Sequence, residues 1–400
     1  MQKDNLHLKF LTKAATLLHE CGVSSHQLES TLSDISQKMN CHSSILISPT
    51  SISIGVTKDD HQLTNNLRIT KSGIDFSKLS DVQDVIIKFR NDVLDLNSAL
   101  SELNKIESTQ SYYPIWLNSL AFGFNAIGLC VFFKIPYSNM PITFISGLLA
   151  GALFFKLIQN ERWNRVALTI ASFIPTLFLF TTAYFIPGVE IQNSIFASLI
   201  VLIPGLSLTV SMTELASSHL ISGTARLMGA LVDFFKISLG VLSAWKLGQF
   251  FNIKVSTIPE INYHFTLKFL SILICSVCLS ILFNAKKKDF KWIVISSFLS
   301  LLTLEMTALL KNQNVAIFIT SLCIGLYTNK CSKFFNRPVQ ILGLPALILL
   351  VPGSIALKGI NLAAAHNLFG GVGQTINAFS LATMIVAGLF LADIIIPEKR

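Results

Sequence analysis

Ionisable side chains are scarce in the apolar two-thirds of this 400-residue chain, so each one there is a candidate for chemistry. Asp233 and Lys236 lie three residues apart, on one helix face, where they can neutralise each other. Glu305 has no sequence-local partner and falls near mid-depth of its apolar run; Glu214 closes another. Desolvation favours the neutral form of a carboxylic acid, so an intramembrane acid can take up and release a proton near neutral pH. Glu305, Asp233, Lys236 and Glu214 are therefore the candidates for proton coupling, although the Asp233–Lys236 pair reads equally well as a structural bridge.

A second kind of chemistry lies in the backbone. The runs "LIPGLSL" (202–208) and "LVPGSIAL" (350–357) each place a Pro-Gly pair inside an apolar segment. Pro204-Gly205 and Pro352-Gly353 remove a donor and add a flexible joint, freeing N–H and C=O groups that can bind a polar solute in a membrane. Small polar residues follow each break, among them Ser217, Ser218 and Ser222 after the first, and Asn361 and Asn367 after the second. Gly223 and Gly371 each stand 18 residues past the glycine of their break. These residues are the candidates for a helix break and a substrate path; as flexible connectors they would have no ligand role.

The elements that must position these groups follow from composition. The chain is 52% hydrophobic and 13% charged, against about 25% charged in ordinary soluble domains. Residues 1–113 hold 11 Lys/Arg and 13 Asp/Glu, a polar domain; residues 114–400 hold 20 and 9, arranged as apolar runs with short polar breaks. The basic surplus therefore belongs to membrane flanks, and nucleic acid is not an expected partner. Cys275 and Cys278 form a CxxC within an apolar run and lack a second ligand pair, so packing is expected there, with no metal and no cofactor.

Ten spans are expected: 115–133, 141–158, 166–186, 194–214, 228–250, 266–284, 292–310, 315–330, 339–357 and 376–396. Met1–Phe10 has mixed charge and no apolar core, unlike a signal peptide, which places residues 1–113 in the cytoplasm. Both termini would then be cytoplasmic, with 13 Lys/Arg near inner loops and ends against 6 near outer ones. The strongest inner anchor is "AKKKDFKW" (285–292).

Residues 202–244 align without gaps on 350–392, sharing Pro-Gly, Gly223/Gly371 and six further identities. Two five-span halves, 114–251 and 252–400, follow. Five is odd, so the halves are expected to be inverted, as in secondary transporters whose substrates bind near the midplane. The expected fold is an α-helical polytopic membrane protein, ten transmembrane helices in two inverted five-helix repeats, with a small α+β N-terminal domain.

In that domain Leu28, Leu32, Ile35 and Met39 have helical spacing, and Ser24 with Gln27 can form a capping box. Ile52, Ile54 and Val56 alternate as a strand does, and Leu67/Ile69 suggest another. Leu79, Val82, Ile86 and Phe89, then Val93, Leu96, Leu100 and Leu103, mark two more helices, the last a candidate stalk into the first span.

The helix ending at Gly22, the second helix, Pro49-Thr50 before an alternating strand, and "SGIDFSKLSDVQDVI" (72–86) resemble the cytoplasmic domain of the threonine/serine exporter family. The two Pro-Gly spans fit that family's two halves, so the resemblance covers nearly the whole chain. It implies a cell (inner or plasma) membrane protein that exports threonine and serine by the proton-motive force. Its partners would be small-molecule substrates, protons, the lipid bilayer and further copies of itself. Relatives with separate halves imply dicarboxylate (succinate) as the alternative substrate. Histidines 7, 19, 26, 42 and 61 could furnish a membrane-anchored hydrolase, but no spaced catalytic motif accompanies them. A channel is the remaining class, and no filter-like sequence supports it.

Overall fold

The computed structural model describes residues 2–58, 61–69, 73–251, 261–307, 310, 312–335, 337–350, 355, 359 and 368–397. The polar N-terminal part contains α1 (Gln2–Glu20), α2 (Ser25–Lys38), β1 (His42–Ser48), β2 (Ser51–Lys58), β3 (His61–Arg68), α3 (Phe76–Arg90) and α4 (Leu96–Glu107). The strands form an antiparallel meander in the order β1-β2-β3, with Ile47 opposite Ile52 and Ile45 opposite Ile54. The alternation in β2 is realised as burial: Ile52, Ile54 and Val56 turn inward and share one core with Phe10, Leu28 and Phe76. The chain leaves α1 through Gly22 at φ +85, a left-handed conformation that strains any L side chain.

Two local expectations are corrected. Val93 is exposed and precedes α4, which buries Ala99 and Leu103. Nor is α4 a stalk: its helix stops at Glu107, and a non-helical segment leads to the first span at Ile115. That segment is tied sideways, because Asn284 Oδ1 accepts from the backbone N–H of Tyr112 at 2.8 Å.

The apolar part contains α5 (Ile115–Phe132), α6 (Met140–Leu157), α7 (Glu161–Asn164), α8 (Ala167–Phe185), α9 (Ile191–Leu199), α10 (Gly205–Ala216), α11 (Leu220–Phe250) and α12 (Phe265–Leu282). It continues with α13 (Phe290–Thr307), α14 (Gln313–Phe335), α15 (Val339–Leu350) and α16 (Leu368–Ile395). Among the described residues eight helices are long and apolar enough to cross a membrane, not ten. The expected fourth span is two short helices, α9 and α10, and only the first 12 residues of the expected ninth are seen, as α15.

Local structure recurs along the chain. The helices α5 and α12 have 18 residues each and start 150 apart. Short 3-10 turns at Tyr137–Asn139 and Lys287–Asp289, and the 18-residue α6 and α13, keep that interval. So do the left-handed residues Lys134 and Asn284. Where α11 crosses α8, a Cβ on Gly240 would collide with Ser172; where α16 crosses α14, a Cβ on Gly388 would collide with Ser321. In lipid, helices gain little from hydrophobic exclusion, so such backbone-to-backbone approaches carry the association. The α5–α12 crossing is equally close: Ser271 Oγ donates to the Gly128 carbonyl, beside the buried thiol of Cys275.

Gly240→Val should therefore lower the thermal stability of the purified protein by about 1–3 kcal/mol through overpacking. Gly229→Ala, in open space on the same helix, should leave the melting curve unchanged.

Candidate functional site at the domain–membrane junction

Opposite charge brings the N-terminal domain onto the apolar part. Asp81 and Asp84 of α3 pair with Lys286 and Lys288 of the basic run, the second at 3.7 Å. Arg337 reaches Asp289 at 3.7 Å and donates to Ser80 Oγ at 3.3 Å. The α12–α13 turn, the α14–α15 turn and the α10–α11 turn thus meet the domain on one side of the apolar part.

The α10–α11 contact is the most deeply buried. Ser24 does not cap α2 through its side chain, as a capping box would require; its hydroxyl instead donates to Gln27 Oε1 at 3.0 Å. The cap comes from 189 residues away, where Glu214 Oε1 accepts from the Ser25 backbone N–H at 3.0 Å. Glu214 is fully buried. Its Oε2 accepts from Ser222 Oγ at 2.9 Å, and Arg226 approaches both oxygens at 3.2 Å through Nε and Nη2. Because Ser222 gives its proton to Glu214, the 2.6 Å contact between the Ser25 and Ser222 hydroxyls has Ser25 as donor. A helix N-terminus, a guanidinium and a hydroxyl together stabilise one anion.

Three histidines border this cluster. The rings of His26 and His219 lie 5.6 Å apart, and His219 Nδ1 is 3.6 Å from Glu29. His19 is buried, and its Nε2–H donates to the Ser48 carbonyl at 3.1 Å. Burial, then the neighbouring Arg226 guanidinium, holds the His19 imidazole below its ordinary pKa of 6.5.

The other predicted residues are dispersed. Pro204 and Gly205 stand at the break between α9 and α10 as expected, and Gly223 lies in the first turn of α11, where a Cβ would sit 2.7 Å from Leu215. Gly371 occupies the corresponding turn of α16. Pro352, Gly353, Asn361 and Asn367 lie outside the described residues. Asp233 and Lys236 do pair, at 3.0 Å, beside exposed Val232 and Phe235 on the outer face of α11. Glu305 is not near mid-depth: it falls in the last described turn of α13 and pairs with Lys268 of α12. The sequence flags Asp393 near the end of the tenth apolar run as one of its few acids, but not Ser25, Arg226 or Asn329, whose Nδ2 donates to Asp393 Oδ1 at 2.6 Å. An acid and a base flanking a small polar turn, "ELASSHLISGTAR" (214–226), was the readable signal for Arg226; nothing local announces Ser25 or Asn329.

Two outcomes follow from the cluster. Arg226→Ala leaves a buried carboxylate without its cation and should cost about 3–5 kcal/mol, read by thermal unfolding, while the double variant with Glu214→Gln should recover much of the loss. His19 has a lowered pKa in the folded protein, so the unfolded chain takes up the proton first and stability is lost as pH falls below 6.5. The melting temperature should drop between roughly pH 7.5 and pH 5.5, and drop less in His19→Gln.

Residues 9–248 match a family model described as threonine/serine exporter, and residues 268–395 match a second, "Threonine/Serine exporter, ThrE". The chain is 22% identical to pheromone-regulated membrane protein 10 of Debaryomyces hansenii, over 91% of this chain and 37% of that protein. It is 21% identical to pheromone-regulated membrane protein 10 of Eremothecium gossypii, over 97% and 54%. An uncharacterized protein of Schizosaccharomyces pombe is 23% identical, over 95% and 52%. The chain thus spans about half or less of the length of these relatives. No solved structure matches it. With several apolar helices and family matches along most of its length, the chain is a multi-pass membrane protein and belongs to the threonine/serine exporter family.

Proposed function

We propose that this chain is a secondary active exporter of small polar metabolites, threonine and serine foremost, driven by the proton-motive force in a cell membrane. Dicarboxylates such as succinate are the alternative substrate class. The observation that carries the reading is the interruption of the fourth apolar segment at Pro204-Gly205, where α9 ends and α10 begins. Gly205 opens α10 with its own N–H taken by the Ile203 carbonyl at 2.7 Å, whereas the next two amides, of Leu206 and Ser207, make no backbone hydrogen bond and are the donors open to a solute.

The recurrence at 148–150 residues supports an inverted pair of halves, joined near residue 251. The Lys287–Asp289 turn lies beside acid-paired lysines against the N-terminal domain, whereas its counterpart, Tyr137–Asn139, follows a single span, α5, leading away from the domain, which supports opposite sides for the two turns. By the same count α9–α10 runs toward the domain and α15 starts from it. With 1–113 in the cytoplasm, the domain side is the inner side and the C-terminus returns to it. Proton coupling falls to Glu305, Asp233 with Lys236, or Glu214. The hydrolase alternative gains no support from the histidines, since His7 sits by Cys41, His19 by Ser48 and His26 by His219.

Replacing Pro204-Gly205 by Ala-Ala should leave expression intact and reduce counterflow of labelled threonine in proteoliposomes by about tenfold or more. Unchanged counterflow would reduce the break to a packing kink. Succinate exchange without threonine or serine exchange would select the alternative substrate.

A further inference from the structure

Four acids of the apolar part are matched by a nearby cation: Glu214 by Arg226, Asp233 by Lys236, Asp289 by Arg337 and Glu305 by Lys268. Asp393, in the last turn of α16, is different. Its Oδ1 accepts from Asn329 Nδ2 of α14 at 2.6 Å, and among the described residues no Lys or Arg lies within ion-pair distance of it. Asn329 is buried and is fixed by a second bond, to the Ile396 carbonyl at 2.9 Å, so the carboxylate it holds is positioned rather than loose.

Asp393 also faces open space on two sides. One cavity, of about 370 Å³, lies between α2 and α3 of the domain and the ends of α14, α15 and α16. A second occupies the slit between Thr213 of α10 and Phe390 and Ile394 of α16, under the start of α2. His26, Gln27 and Asp393 line both. The second reaches Thr213 of α10, the helix that begins at the Pro204-Gly205 break.

We propose that Asp393, oriented by Asn329 and flanked by His26 and Gln27, is the docking site on the domain side for the ammonium group of the transported solute. The inference rests on the exporter reading and adds its substrate class. An uncompensated carboxylate at the entrance attracts an ammonium group and repels a dicarboxylate, so the site favours amino acids over succinate. Asn329 donates to one oxygen, and the other remains for the incoming N–H donors. Asp34 neutralises Arg90 at 3.6 Å on the wall of the first cavity, so that guanidinium does not cancel the acid's field.

The test is the KM for labelled threonine, serine and succinate in proteoliposomes of the full chain, with solute presented from the domain side. Asp393→Asn preserves shape and can still bond Asn329; it should raise the KM for threonine and serine roughly ten- to a hundred-fold without raising that for succinate. Asp393→Glu should retain most of the affinity. A thermal transition unchanged from wild type shows that the Asn variant is folded. Threonine transport by wild type with an unaltered KM in Asp393→Asn, or equal losses for threonine and succinate, would overturn the site and leave the exporter reading standing. Wild-type transport of succinate but of neither amino acid would overturn the site together with the amino-acid reading.

Discussion

A carboxylate cannot be sealed from water on its own; the effective penalty for one buried ion is several kcal/mol. Glu214 is sealed completely, and the junction depends on how that penalty is met. Its two oxygens take hydrogen bonds from the first amide of α2, from Ser222 and from two nitrogens of Arg226. Two parts of the chain far apart in sequence, the start of α2 and the α10–α11 hairpin, must arrive together, or the charge loses a donor. The register of α10 against α11, and the seat of α2 on both, are thereby coupled.

That coupling seats the N-terminal domain on the α10–α11 turn. The start of α2 lies over the slit between α10 and α16, and the helix that holds it, α10, begins at a break where the backbone can hinge. The aspartate–lysine contacts of α3 attach the domain a second time, at the α12–α13 turn. These pairs are partly exposed and individually weak.

Agreement between sequence and structure was closest where a single periodicity dictates burial. The inward set of β2, the amphipathic α3 and the long apolar helices follow from period 2, period 3.6 and span length respectively. Disagreement came where a neighbour decides. The fourth segment is apolar throughout, so hydropathy reads it as one span, yet its backbone breaks into α9 and α10. Asn284, distant in sequence, binds the 111–113 linker where a continuous stalk was expected. Glu305 has no partner within its own helix and finds Lys268 on the next one.

The sequence by itself determined the division into a polar domain and an apolar bundle, the position of the Pro204-Gly205 break, and the family, because composition, backbone chemistry and residue order are properties of the chain alone. Which charges meet was decided only by tertiary structure. Ser24 and Gln27 satisfy the pattern of a capping box, but a buried glutamate from α10 reaches the Ser25 amide instead. A local cap costs little to exchange with water, whereas Glu214 inside the junction must find every donor within reach, so packing rather than sequence proximity chooses its partners. Asp393 is the converse case: the sequence shows an acid near the end of an apolar run, and only the convergence of α2, α14 and α16 makes it a positioned carboxylate facing a cavity.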